Sequence, residues 1–193
     1  MNSGNTFFEE EVEAAVAQLR AGGTILYPTD TVWGIGCNAL DEIAINRIYT
    51  IKQRPDSKSL IVLVASERDI LQYVAAPDLA AFLFMQEQER PTTVIFNGAV
   101  GLPGNLVASD GSIAIRITRD PFCRHLVKRL RAPLVSTSAN ISGEPTAATF
   151  SEVAQAVKDG VDHVVRWRQD DDSIAAPSQI VRWQGGAPVF LRK

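Results

Sequence analysis

Three stretches of the chain, and one isolated residue, carry side chains able to do chemistry on a small charged ligand. The first is Pro-Leu-Val-Ser-Thr-Ser-Ala-Asn-Ile-Ser-Gly at 133–143. Leu134 and Val135 read as the end of a buried strand. Ser136, Thr137, Ser138, Asn140 and Ser142 then offer more donors and acceptors than a turn needs. These residues either build a turn and cap the next helix or hold something polar. The second stretch, 28–36, places Thr29, Asp30 and Thr31 beside Trp33 in a loop whose glycines a simple turn would explain but whose polar trio it would not. The third is Lys52-Gln53-Arg54 with Lys58 close behind. Cations at a helix end suit the helix dipole, and the same cluster can grip an anion. Arg116 stands apart, a lone cation in the apolar run 113–117. Burying it unpaired would cost several kcal/mol, so it must meet a carboxylate of the fold or an anionic substrate.

The elements that position these groups follow from periodicity. Thr6 and Glu9 form a capping-box pattern. Phe8, Val12, Ala15, Val16 and Leu19 then recur at helical spacing until Gly22 and Gly23. A strand is expected at 24–27, and a helix capped by Asp41 runs through about Ile51 and delivers Lys52 and Arg54. Residues 60–64, 92–96 and 113–117 read as strands, and Ser66 and Asp78 as caps of two further helices. Asp120 and Pro121 open a helix carrying Arg124, His125, Lys128, Arg129 and Arg131. That basic face is solvated surface or a nucleic-acid contact, and His125 reads as a surface residue. Thr149 and Glu152 suggest another capping box, with a helix to Lys158. Strands are expected at 163–167, 179–183 and 188–192, the last two paired as a hairpin across Gly185 and Gly186. Residues 168–173, with three consecutive aspartates, read as a mobile surface loop. The pattern is one α/β domain (α+β mixed) spanning 1–193, a mixed sheet flanked by helices.

Composition narrows the setting. The chain has 193 residues, 46% hydrophobic and 21% charged, enough for a core that needs no disulfide or metal. Cys37 and Cys123 lack metal-ligand spacing and read as inert thiols in a reducing compartment. Glu9, Glu10 and Glu11 stand where a signal peptide would need basic residues, and no uncharged apolar run approaches membrane length. A cytoplasmic setting is expected. The net charge of −3 leaves any polyanion binding to local patches.

Taken together, the motifs resemble the YrdC/Sua5 family of threonylcarbamoyl-AMP synthases. Lys52-Gln53-Arg54 and Ser138-Ala139-Asn140 match the family's paired Lys-x-Arg and Ser-x-Asn signature. Pro28-Thr29-Asp30-Thr31-Val32-Trp33-Gly34 is similar to its Pro-Thr-(Asp/Glu)-Thr-Val-Tyr-Gly. Ile113-Ala114-Ile115-Arg116 is similar to its Val-Ala-Val-Arg strand, and Phe190-Leu191-Arg192 to its ending. The resemblance runs from Tyr27 to Arg192 and fits the short form. The sequence departs from the pattern at Ser59, at Leu63 where many members have histidine, around Pro91, and at Ala148.

What the resemblance implies is a twisted mixed sheet with a concave ligand-binding face. The implied activity is that of a nucleotidyltransferase making threonylcarbamoyl-AMP and pyrophosphate from L-threonine, bicarbonate and ATP, for the threonylcarbamoyl modification of adenosine in tRNA. It implies catalytic roles for Lys52, Arg54, Ser138 and Asn140. ATP would be held by Lys52, Arg54, Lys58, Ser136, Ser138, Asn140 and Arg192, and threonine by Thr31, Arg116 and Ser178. Magnesium would arrive with ATP, with no dedicated metal site in the protein, and the product would pass to downstream tRNA-modifying proteins. Two other readings remain: an RNA-binding module using the basic helix without catalysis, and a related carbamoyl-adenylate enzyme acting on another substrate.

Overall fold

The computed structural model describes residues 3–54 and 60–193. Its strands are β1 (Ile25–Tyr27), β2 (Gly34–Gly36), β3 (Ile61–Val64), β4 (Thr92–Phe96), β5 (Ile113–Ile117), β6 (Leu134–Ser138), β7 (His163–Val164), β8 (Gln179–Gln184) and β9 (Ala187–Arg192). The helices are α1 (Ser3–Arg20), α2 (Glu42–Lys52), α3 (Glu67–Ile70), α4 (Leu79–Glu87), α5 (Pro121–Leu130) and α6 (Gln155–Gly160). Among the described residues the strands form one mixed sheet in the order β7-β1-β2-β6-β3-β5-β4-β8-β9. This is the helix-flanked mixed sheet expected from the sequence.

Side chains alternate across each strand, and here the alternation divides two cores. Leu26, Ile35, Val62, Val64, Ile115, Val135 and Val181 face one core with α2 and α4. Ile25, Tyr27, Leu63 and Leu134 face the other, under Val12, Val16 and Leu19 of α1 and Phe122 and Leu126 of α5. Arg116 and Ser136 follow residues of the first core, so they project on the second face. There α1 and α5 cover only part of the sheet, and the uncovered part is where a ligand can sit.

Local chemistry sets the element ends. Asp41 accepts the N–H of Ala44, Asp78 that of Ala80, and Asp120 that of Cys123, each filling an orphan donor at a helix start. The β8–β9 hairpin turns through Gly185 and Gly186 at φ +58° and +79°, a backbone that glycine adopts without strain. The strand expected at 163–167 ends at Val164, the loop expected at 28–36 ends in the strand Gly34–Gly36, and four further expectations need correction. The first helix begins at Ser3, so Thr6 lies inside it rather than at its cap. The hydroxyls at 136–138 belong to β6 rather than to a loop. The helix before Gly160 begins only at Gln155, because Glu152 accepts the N–H of Ala148 and stabilises a turn instead. Residues 168–173 are tied down: Arg168, in a left-handed conformation at φ +64°, pairs with Asp171 and Asp120, each at 3.0 Å.

Candidate active site

A cavity of about 180 Å³ opens on the uncovered face. It lies at the N-terminal end of β3 and the C-terminal end of β6, which pair antiparallel with Ile61 opposite Ser136. Of the residues singled out in the sequence, it brings together Thr31, Arg54, Arg116, Ser136, Ser138, Ser178 and Arg192. Thr137 and Thr146 line it too. Thr137 belongs to the hydroxyl run, whereas no local signal marked Thr146. Lys58 falls outside the described residues.

The cavity can be this narrow because β2 lies almost against β6. A Cβ on Gly36 would meet the carbonyl oxygen of Val135 at 2.1 Å, a backbone atom that cannot yield. Gly34, opposite Ser138, lines the cavity itself.

Its electrostatics are one-sided. Among the described lining residues are three arginines, Arg54, Arg116 and Arg192, and no carboxylate. Burial lowers the pKa of Arg54. Burial and then the nearby Arg116 lower that of Arg192. Arg192 is oriented by neutral oxygens, donating through Nε to the carbonyl of Ser178 at 2.9 Å and through Nη2 to its hydroxyl at 3.4 Å. The Ser178 hydroxyl also lies 2.9 Å from that of Thr93. An anion would relieve the repulsion between Arg116 and Arg192.

Arg116 is 3% exposed. The carboxylate of Asp30 lies 3.1 Å away, so the fold supplies one partner while the side chain still lines the cavity. Asp30 is held in turn by the N–H of Arg119 at 3.2 Å. The Nε of Arg116 has no hydrogen-bond partner among the described residues. Its Nη1 donates to the hydroxyl of Thr31 at 3.2 Å. The Thr31 hydroxyl lies 2.9 Å from that of Thr29, which donates its own proton to the carbonyl of Val32 at 2.8 Å. The proton between the threonines must therefore come from Thr31. With that proton spent, Thr31 offers a ligand only an acceptor. It suits an ammonium or a carbamate N–H, not a second carboxylate.

Lys52 and Asn140 do not line the cavity; they hold the turn behind it. Lys52 is 2% exposed, and its ammonium donates to the carbonyls of Ser138 and Asn140 at 2.6 and 2.7 Å. Its own carbonyl accepts the N–H of Ser142 at 2.8 Å. Burial, and then the charge of Arg54, push its pKa down to about 8. The Asn140 amide donates to the carbonyls of Ile141 and Glu144, each at 2.9 Å. Sequence placed these residues in the site by type, and the structure shows them clamping backbone.

Cys37 and Cys123 are buried thiols whose pKa values burial raises, as expected of inert cysteines. His125 lies edge-on to Phe8 with ring centroids 5.3 Å apart. Among the described residues no group of three or more His, Cys, Asp or Glu is placed to hold a metal ion. No helix among them is long and apolar enough to cross a membrane.

Known proteins resemble the chain in sequence and in fold. The Sua5/YciO/YrdC family model, described as "Telomere recombination", matches residues 17–193. A threonylcarbamoyl-AMP synthase of Idiomarina loihiensis is 34% identical over 88% of this chain and 91% of its own. One of Xanthomonas campestris pv. campestris is 38% identical over 80% and 84%. The crystal structure of P. abyssi Sua5 complexed with L-threonine superposes with a TM-score of 0.82 at 25% identity. It covers 94% of this chain, which spans about half of that protein (53%).

Proposed function

The chain belongs to the Sua5/YciO/YrdC family, and from that premise we propose that it makes threonylcarbamoyl-AMP and pyrophosphate from L-threonine, bicarbonate and ATP. The observation that carries this reading is the cavity lined by three arginines and a row of hydroxyls with no carboxylate among its described residues. Threonine and bicarbonate condense to a carbamate with loss of water. A carbamate oxygen then attacks the α-phosphorus of ATP, and the bond to the bridging oxygen breaks as pyrophosphate leaves. Both partners are anions, so the protein's task is to neutralise and align them, without a protein nucleophile.

Arg116 pairs with the threonine carboxylate, and Thr31 accepts a hydrogen bond from its nitrogen. Ser178 completes that side. Arg54 and Arg192, with Lys58, take the phosphates, while Ser136 and Ser138 orient the reacting groups by neutral hydrogen bonds. Lys52 and Asn140 act through the backbone they hold, as positioning residues for Ser138. A cavity of 180 Å³ is smaller than the roughly 300–1,000 Å³ of typical ligand sites, so the nucleotide extends over its rim. Magnesium would arrive with the triphosphate as part of the substrate. The product is destined for threonylcarbamoyl transfer to adenosine in tRNA by downstream proteins in the cytoplasm. The basic helix gives RNA binding less support, since Arg129 is already engaged by Glu9 and Glu13.

The test is to incubate purified protein with ATP, magnesium, bicarbonate and L-threonine, and to follow pyrophosphate and the adenylate by mass spectrometry. Pyrophosphate release that needs both threonine and bicarbonate is the expected result. Release indifferent to either would assign the site to another acid or amine.

A further inference from the structure

A second hollow, of about 390 Å³, lies at the other end of the same strand pair. Val64 at the C-terminal end of β3 and Pro133 just before β6 both line it, whereas the active-site cavity takes Ile61 and Ser138 from the opposite ends. The helices that flank it lie on opposite faces of the sheet, Ile70 of α3 in one core and Leu126 of α5 in the other. A crevice beyond a strand's C-terminal end, where the chain departs to both faces, is where α/β sheets commonly take ligands. Its volume falls within the roughly 300–1,000 Å³ range of small-molecule sites.

The lining combines apolar surface with Arg124, Lys128 and Arg131. These stand at i, i+4 and i+7 along one face of α5 and its C-cap. Among the described residues none of the three makes an ion pair. Their neighbour Arg129 is taken up by Glu9 and Glu13. The carboxylate that also lines the hollow, Asp69, has one oxygen occupied by the N–H groups of Ala65 and Ser66, at 2.9 and 2.8 Å. Asp69 is the carboxylate on one side of this charge, and on the other Lys128 and Arg131 also border a hollow with Glu13, Arg20 and Arg129. A nucleic-acid strand needs successive stacking platforms along its track, and among the described residues lining this hollow Tyr73 is the one aromatic side chain.

We infer that this hollow is a binding site for a phosphorylated small molecule, its phosphoryl group seated among Arg124, Lys128 and Arg131 and its remaining part over the apolar lining beside Tyr73. A phosphoryl oxygen array accepts several charge-assisted hydrogen bonds at once, which three converging cations supply.

The experiment is an amide-resolved NMR titration of the full chain with AMP and, separately, with inorganic pyrophosphate. The expected result is saturable shifts at Ala65, Ser66 and Ala132, distinct in their midpoint from any at Thr31 or Ser138. Arg124→Ala and Arg131→Gly should each weaken the first set about tenfold or more while leaving the second set unchanged. Arg131 sits at φ +59°, a conformation that glycine adopts more readily. Its replacement should therefore hold or raise the melting temperature, so that lost binding cannot be blamed on unfolding. Shifts that grow without saturating, shifts confined to the active-site set, or an affinity in both variants unchanged from that of the unsubstituted protein would overturn the proposal. So would tighter binding of a short RNA than of AMP at Ala65, Ser66 and Ala132. None of these outcomes depends on whether the active-site cavity makes an adenylate.

Discussion

The active-site cavity and the outer face of α1 and α5 both gather cations, and they answer them differently. Where α1 meets its neighbours carboxylates do it: Arg129 meets Glu9 and Glu13, and the buried Glu11 takes both the backbone and the guanidinium of Arg166. Around the cavity neutral oxygens do most of it. Lys52 is held by two carbonyls, and Arg192 by the carbonyl and hydroxyl of Ser178, while Arg116 has the carboxylate of Asp30. A carboxylate cancels a charge and fixes it. A neutral acceptor fixes its direction and leaves the charge to be felt by a ligand.

The largest effect that tests this contrast is expected from Lys52→Met. It strands two carbonyls in a buried turn, at a cost of about 2–4 kcal/mol in denaturant-measured stability, and adenylate formation should fall by about a hundredfold or more. Normal stability would mean that the carbonyls find other partners and that Lys52 is not the clamp of the turn. Next, Arg116→Ala should lower kcat/KM for threonine by about a hundredfold, with a smaller change for ATP. Equal losses for both substrates would show that the division of the cavity is mistaken.

A pH series sharpens the comparison further. With the Lys52 pKa lowered to about 8, the ammonium loses its proton within the alkaline range, and kcat/KM should fall above about pH 8. Its contribution to stability runs the other way. Between about pH 8 and its ordinary value near 10.4 the unfolded chain binds more protons than the folded one, so this group makes stability rise with pH. Activity and stability that fall together from pH 8 would exclude Lys52 as the titrating group. The smallest effect belongs to the outer face. Arg129→Ala should change stability by no more than about 1 kcal/mol and turnover by less than about twofold. A loss confined to RNA binding in that variant would give the helix a separate role.

The sequence revealed most where one residue type was conspicuous against its background. Arg116 in an apolar strand demanded a partner, and it has one in Asp30 while still lining the cavity. The hairpin at Gly185 and Gly186 was legible from turn chemistry alone. β2 was not, because Gly-Ile-Gly carries no strand pattern and becomes a strand only through its neighbours β1 and β6. The burial of Lys52 was not legible for a related reason. A cation at a helix end is normally solvated, and only the return of residues 138–142 over that end buries it. Thr6 shows that a capping pattern is overruled when the helix can start three residues earlier. The proton direction at Thr31 depends on distances that no sequence pattern encodes.

The strand order has a consequence in time as well as in space. β6 lies between β2 and β3, although the chain makes those two strands long before it, and Ser178 and Arg192 come still later. During synthesis the early strands must wait for the segment that separates them, and the cavity does not exist until 134–138 has been inserted and the final hairpin laid beside β4. Pairing across such sequence distances is slow compared with local helix formation. The inserted strand also slides against Gly36, where any side chain would block its seat. A nascent chain can therefore have both helical cores under way while holding no substrate at all, and ligand recognition becomes a report that the whole sheet has closed in the right order.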